Sequence, residues 1–176
     1  MKATKLSFWM SASLVVLVAI SVIFALSAAN TVPSTKIGSV TTTVNANALK
    51  PTECASLALT RIVILARGDV PNNNAELIIG TSAGDSINGA GGVDCILGGG
   101  GNDDLQGGNG KDVLMGGPGN DTVDGGGGTD DLYGNDGDDT LIGGNKNDNL
   151  DGGTGTDICT GGGGTDVFVS CETQNP

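Results

Sequence analysis

The chain has 176 residues, of which 32 are glycine, and a formal net charge of −12 at pH 7 with no histidine. The lack of histidine excludes a Ser-His-Asp or Cys-His catalytic device and a zinc site of the usual histidine-rich kind. Aromatic residues make up only 3% of the chain, so something other than a large apolar core must stabilise the fold.

The N-terminus has the order of a secretory signal peptide. Lys2 and Lys5 precede an apolar run from Leu14 to Leu26, and small residues lead up to Ala29. We expect cleavage after Ala29 and interpret the protein as secreted and extracellular.

The same apolar stretch also supports an alternative in which it is retained. Residues 6–29 are long enough to span a bilayer, so an uncleaved segment would anchor the protein at the cell surface. An A-x-A pattern at residues 46–48 is a second place where a signal peptide could be cut. In each case the rest of the chain lies outside the cytoplasm.

Composition divides the chain into five segments. We predict a signal peptide over 1–29, a linker over 30–48, an N-terminal cap over 49–79, a repeat array over 80–169 and a C-terminal cap over 170–176. The N-terminal cap contains the apolar sequence LTRIVILARG, which we expect to cover the first coil of the array. Repeat proteins need such caps because an open end strand can pair with another chain.

The four cysteines are Cys54, Cys95, Cys159 and Cys171, and their spacing contains no C-x-x-C pair that would indicate zinc or thioredoxin chemistry. In an oxidising compartment they predict two disulfides. Three pairings are formally open. We favour Cys54 with Cys95 and Cys159 with Cys171, because each bond would tie a flanking segment to one end of the array.

A nine-residue repeat begins at Gly80 and continues without insertion or deletion to Val169, which makes ten units. Aspartate occupies the sixth position of every unit, and an apolar residue or cysteine occupies the eighth. The period of nine excludes collagen, whose period is three, and the constant phase excludes a flexible glycine linker. The array is therefore a repeating supersecondary unit whose copies must stack.

The charge of the array is strongly negative. Residues 80–169 contain 16 aspartates, no glutamate and only the lysines Lys111 and Lys146, a net charge of −14. This charge excludes nucleic acid as a partner. The exclusive use of aspartate, whose short arm suits a ligand projecting from a tight turn, favours cation binding over a merely solvated acidic face.

Each position of the unit has a predicted structural role. Glycines at the first, second and fourth positions permit positive φ and let main-chain carbonyls approach a common point. Positions seven to nine form a three-residue strand whose middle side chain points inward. Two units close a coil of about 18 residues, so we predict an all-β fold, a right-handed parallel β-roll (a β-helix solenoid) of about five coils.

Stacking places units that are two apart directly above one another, at a strand spacing of about 4.8 Å. Stacked carboxylates repel unless a cation lies between them, and calcium tolerates an irregular cage of oxygen ligands better than magnesium does. The predicted cation ligands therefore form two columns. One column is Asp85, Asp103, Asp121, Asp139 and Asp157, and the other is Asp94, Asp112, Asp130, Asp148 and Asp166.

The units GGGGNDDLQ, GGNGKDVLM, GGPGNDTVD and GGGGTDDLY resemble the RTX, or haemolysin-type calcium-binding, nonapeptide G-G-x-G-x-D-x-U-x. The resemblance covers slightly more than half of the chain. It departs from the pattern where Ala83 and Lys146 replace the fourth-position glycine, where Ala90 and Asn135 replace the second, and where Cys159 takes the eighth position.

The resemblance implies a β-roll with several calcium ions between stacked turns, held by the sixth-position aspartates and by main-chain carbonyls of the glycine-rich turns. The implied carbonyl donors are those of Gly98, Gly99, Gly100, Gly101, Gly107, Gly108, Asn109, Gly110, Gly116, Gly117, Pro118, Gly119, Gly125, Gly126, Gly127 and Gly128.

The sequence therefore predicts a secreted, non-enzymatic calcium-binding protein whose partners are calcium ions. One alternative is a cell-surface or matrix component that uses the rigid roll for adhesion, with a partner still to be named. Another is a fragment of a toxin or secreted hydrolase. The last is disfavoured because the chain has no G-x-S-x-G motif, no metal-binding histidine and no room for a further large domain.

Overall fold

The computed structural model of the protein describes residues 51–65 and 68–176. The predicted signal peptide, its membrane-anchor alternative and the linker lie outside the described residues. Within the described part of the chain, no helix has the length and apolar character needed to cross a bilayer. The predicted segment boundaries stay predictions.

In the described part of the chain, fourteen strands form two parallel sheets of a β-solenoid, and from β5 onwards successive strands alternate between them. The first sheet contains β1 (Arg61–Ile64), β2 (Glu76–Thr81), β5 (Cys95–Gly99), β7 (Val113–Pro118), β9 (Asp131–Asp136), β11 (Asn149–Thr154) and β13 (Val167–Val169), in that order. The second contains β3 (Ser86–Asn88), β4 (Gly91–Gly92), β6 (Asp104–Gly110), β8 (Thr122–Gly127), β10 (Thr140–Asn145), β12 (Ile158–Gly163) and β14 (Thr173–Asn175).

The pairing register confirms that units two apart are stacked. Leu105 pairs with Val123 in the second sheet, and Leu114 pairs with Leu132 in the first, a shift of 18 residues in both. Each strand therefore lies over the strand of the same type in the next coil, and the all-β prediction is confirmed.

The eighth-position side chains point into the solenoid, as predicted. They form one continuous buried column with an exposure of 2% or less for each of the nine side chains from Ile87 to Cys159. Phe168, in the last unit, is partly buried against the same column. A single inward side chain per unit thus becomes a core only because the coils stack.

The solenoid has about six turns, one more than the five expected from ten units. Strands β1 and β14 lie outside the array and β2 begins four residues before it, so the two sheets extend beyond the ten units. Residues 71–79 behave as a further unit, with the buried Glu76 at its sixth position and the buried Ile78 at its eighth. This unit was missed because it contains neither glycine nor aspartate.

The strands are longer than the predicted three residues. Strand β7 continues from Val113 through Gly116 to Pro118, because Gly117 pairs with Asn135 of the stacked turn. Each strand thus begins in the last three residues of one unit and continues into the first residues of the next unit. Most strands therefore reach five to seven residues.

A second apolar cluster lies on the outer face of the first sheet. Cys54, Leu57 and Leu59 pack there against Cys95 and Val113, all of them buried. Cys95 and Val113 are at seventh positions, and the sequence predicts only the eighth-position side chain to point inward. The flanking segment supplies the missing cover, and this half of the roll therefore buries both faces of its sheet.

The two favoured disulfides are present. Cys54 is bonded to Cys95 and Cys159 to Cys171, each with Cα atoms 6.0 Å apart. The first attaches the outer segment to β5, and the second attaches the C-terminal residues to β12. Each bond ties a flanking segment to the array, which was the reason for favouring this pairing.

Positive φ occurs at the second and fourth positions of the units but not at the first, where it had also been expected. Three of the residues that replace glycine take this conformation, whereas Ala83, at the fourth position of the first unit, does not. Ala90, Asn135 and Lys146 have φ values of 69°, 78° and 80°. A side chain in this region of φ costs roughly 1–2 kcal/mol, because Cβ crowds the following carbonyl.

We expect Lys146→Gly to raise the free energy of unfolding by about 1 kcal/mol in saturating calcium, because glycine adopts the φ of 80° without strain. Lys111→Gly removes the same charge at a fifth position without positive φ, and should give no such gain. Denaturant titration of both variants measures the difference. Equal changes in the free energy of unfolding for the two variants would contradict the strain at Lys146.

Candidate calcium centre

The sixth-position aspartates lie in two columns, one at each edge where the chain passes between the sheets. Strand register places every aspartate over the one 18 residues away. Asp85, the first of the ten aspartates along the chain, and Asp166, the last, are partly exposed. The other eight are at most 3% exposed, an unusual environment for a carboxylate: Asp94, Asp103, Asp112, Asp121, Asp130, Asp139, Asp148 and Asp157.

One carboxylate oxygen of every sixth-position aspartate after Asp85 is used to join the coils. Asp112 Oδ1 accepts a hydrogen bond from the backbone N–H of Asp94 at 2.7 Å, and Asp121 Oδ1 accepts one from Asp103 at 2.8 Å. The same bond joins each of the other stacked aspartate pairs, from Asp85 N–H donating to Asp103 Oδ1 up to Asp148 N–H donating to Asp166 Oδ1. Sequence reasoning missed this role, because the period shows that aspartates stack but not which atoms meet.

The other oxygen has no partner within the protein. Oδ2 of each of the eight buried aspartates lacks a hydrogen bond and contacts almost no solvent. Buried polar atoms in native proteins are nearly always satisfied, and an unpaired buried charge is far more costly than an unpaired neutral group. A column of such oxygens therefore calls for a cation or for protons.

The first-position glycines leave space beside these oxygens. A methyl group on Gly125 would lie 2.8 Å from Asp130 Oδ2 and 2.8 Å from the carbonyl oxygen of Gly143. Gly107 stands in the same relation to Asp112 Oδ2 and the Gly125 carbonyl. These glycines are thus required for the close approach of a carboxylate and a carbonyl oxygen, and not for positive φ.

Main-chain carbonyl oxygens would have to supply most of the ligands of a cation bound between stacked turns. Among residues 51–65 and 68–176, no three acidic, cysteine or histidine side chains converge on a point that could hold a metal ion. Each turn offers one carboxylate, and its main-chain carbonyls lie against the stacked turn. One carboxylate with several carbonyls is a hard, all-oxygen donor set, which suits calcium.

The predicted carbonyl donors do not all lie equally close to the stacked turn. First-, second- and fourth-position carbonyls leave no room for a Cβ on the glycine they face. Third-position carbonyls are farther away: the Asn109 oxygen would lie 3.6 Å from a methyl group on Gly91, and the Pro118 oxygen 3.9 Å from one on Gly100. The assignment of individual ligands stays a prediction.

Burial raises the pKa of Asp94 and Asp130 to about 7 and that of Asp139 to about 6. The main cause is loss of hydration. The hydrogen bond from a backbone N–H opposes it, and the charges of neighbouring acidic groups add to it. Burial raises the pKa in the same direction, again with a backbone N–H opposing, at Asp103, Asp112, Asp121 and Asp148.

Four copies of the family model for the RTX calcium-binding nonapeptide repeat match residues 72–105, 97–132, 106–141 and 133–168. Together they cover more than half of the chain. The chain belongs to the RTX calcium-binding nonapeptide repeat family. RTX repeats bind calcium ions, so calcium is the cation for which the unpaired oxygens and carbonyls of the array are suited. No curated protein and no solved structure matches the chain.

We expect Gly125→Ala to destabilise the calcium-loaded RTX array by about 1–3 kcal/mol, because the new methyl group would force Asp130 or the Gly143 carbonyl to move. Gly100→Ala is the matched control, since no atom lies closer than 3.9 Å to the added methyl group. Calcium titration followed by circular dichroism reports both. A Gly125→Ala variant with the calcium midpoint of the Gly100→Ala variant would contradict the proposed cradle.

The raised pKa values predict that the calcium-free array is more stable in acid. The unfolded chain loses these protons near pH 4, whereas folded Asp94 and Asp130 keep them up to about 7. The folded state therefore binds more protons in this window, so its stability is highest at about pH 4 and falls as the pH rises towards 7. Calcium must displace these protons, so its affinity should fall in acid.

Circular dichroism of calcium-free protein between about pH 4 and pH 8 tests this dependence. Asp130→Asn should weaken the dependence of stability on pH, because the amide does not titrate. Asp124→Asn, at a ninth position outside the turns, is the control and should leave this dependence as it is in the wild type. A calcium-free array that becomes more stable as the pH rises would show that the columns are not buried as described.

Proposed function

We propose that the protein is a secreted, non-enzymatic calcium-binding module in which ions between stacked turns fold and rigidify the roll. The observation that carries this proposal is the set of eight buried Oδ2 atoms without a partner. The proposed ligands are the ten sixth-position aspartates and the turn carbonyls of residues 98–101, 107–110, 116–119 and 125–128.

The balance of forces without calcium favours the unfolded array. Its glycines have a high chain entropy to lose, its core has one inward side chain per unit, and its net charge of −14 opposes compaction. An ion that binds only between stacked turns adds its binding free energy to folding. Calcium should therefore act cooperatively along the solenoid.

Secretion is supported by the N-terminal sequence and by the pairing of the cysteines. The N-terminal sequence up to Ala29 has the pattern of a signal peptide, and all four cysteines are paired in disulfides. Disulfides persist in oxidising compartments, where free calcium is also available at the concentrations that extracellular modules use, about 10⁻⁴ to 10⁻³ M.

A cell-surface or matrix scaffold is a second candidate. The apolar stretch 6–29 could anchor the chain, and the side chains of Val167 and Val169 are about half exposed on the last strand of the first sheet. Mass spectrometry of the natural protein distinguishes the two. A chain beginning near residue 30 in the medium supports the secreted module, and an intact N-terminus in membranes supports the scaffold.

We expect Asp121→Asn to weaken calcium binding about tenfold or more, because the amide keeps the acceptor for Asp103 N–H but removes the charged Oδ2. Asp124→Asn removes the same charge from a half-buried ninth position and should have little effect. Isothermal titration calorimetry measures both affinities. Magnesium at the same concentration should not fold the protein, and equal effects of the two substitutions would refute the ligand assignment.

A further inference from the structure

Glu76 extends one aspartate column by a further coil. It lies 18 residues before Asp94, and its backbone N–H donates to Asp94 Oδ1 at 2.8 Å, which is the bond that joins successive aspartates elsewhere. Its side chain is fully buried. Glu76 therefore occupies, at the N-terminal end of the column, the place that a sixth-position aspartate takes in the array.

Both carboxylate oxygens of Glu76 have hydrogen-bond partners, whereas each of the eight buried aspartates has a partner at Oδ1 only. Arg61 Nη1 donates to Oε1 at 2.5 Å, and the backbone N–H of Asn72 donates to Oε2 at 3.0 Å. The same Arg61 nitrogen donates to the carbonyl oxygen of Val70 at 3.0 Å. The guanidinium thus bridges a buried carboxylate and a main-chain carbonyl, the two donor types that calcium takes.

We propose that the Arg61 guanidinium is the resident cation of this end position, so that the N-terminal coil is held together without calcium. The inference rests on the proposed function, since it identifies one place in the columns where the chain supplies the charge itself. A cation that belongs to the chain is present at every calcium concentration. The coil it holds can then act as a template on which β5 and later strands pair.

In the other column, the Oδ2 atom of the first aspartate also has protein partners. Asp85 Oδ2 accepts hydrogen bonds from Thr81, at 2.6 Å from its backbone N–H and at 2.8 Å from its hydroxyl group. The Cys54–Cys95 disulfide and the outer apolar cluster hold the flanking segment on β2 and β5. The N-terminal coil thus has protein partners at the positions where interior coils have bare carboxylate oxygens.

Hydrogen exchange at the backbone amides of β2 and β8 tests the proposal in the full chain with its disulfides intact. In the presence of a calcium chelator, wild-type β2 should be protected and β8 should exchange freely, and calcium should protect both. Arg61→Met should reduce the protection of β2 in chelator roughly tenfold or more, because Glu76 is left buried and unpaired. Calcium should restore it, since the ion can then occupy the place of the guanidinium.

Two control variants separate this effect from general damage. Arg61→Met combined with Glu76→Gln removes both charges, so the protection of β2 in chelator should recover towards the wild type. Lys111→Met removes a lysine that pairs with Asp131 at the surface, and should leave β2 unchanged.

Rapid exchange of wild-type β2 in chelator, or unchanged protection in Arg61→Met, would overturn the proposal. Failure of calcium to protect the single variant would show that the end position does not accept the ion, and would overturn the equivalence of ion and guanidinium. If calcium leaves β8 unaffected, the proposed calcium function fails instead. The comparison of wild type and Arg61→Met in chelator still decides the role of Arg61.

Discussion

The burial of carboxylate oxygens without protein partners is the constraint on which the rest of the structure depends. Each interior coil places one aspartate Oδ2 atom at each of the two edges of the solenoid, away from water and from hydrogen-bond donors of the protein. Such a group must bind a cation or a proton, since an ionised oxygen left bare in the interior is too costly. The roll is therefore a structure whose stability depends on what occupies its two edges.

The same carboxylates explain why the array uses aspartate at a fixed phase. Oδ1 accepts a hydrogen bond from a backbone N–H of the preceding coil, so one short side chain joins two turns while its Oδ2 is left without a protein partner. A shift of the register by one residue would break both interactions at every coil. Within the two columns, glutamate replaces aspartate only at an end. Glu76 pairs with Arg61, and Glu172 accepts a hydrogen bond from Asp157 N–H at 2.7 Å across a coil of 15 residues.

The ends of the solenoid are stabilised by other means than its centre. Disulfides attach a flanking segment at each end, and the N-terminal side adds an outer apolar cluster and a buried ion pair. The central units from Gly98 to Tyr133 contain no cysteine, and Val113 is the one residue among them that the outer apolar cluster buries, so on the proposed function they rely mainly on stacking and on bound ions. Ordering should therefore be least sensitive to calcium near the N-terminal coil and most sensitive in the middle of the array.

The sequence by itself determined the period of nine, the inward eighth side chains and the two aspartate columns, because each follows from a local pattern repeated in phase. It favoured one of three possible disulfide pairings, and the structure contains that one. The tertiary structure decided the rest. The solenoid extends beyond the ten units partly through residues 71–79, which lack the glycines and aspartate of the repeat. Cys95 and Val113 are buried on the outer face because a distant segment covers them. Arg61 reaches Glu76 through a 15-residue offset between β1 and β2, a long-range register that no local repeat encodes.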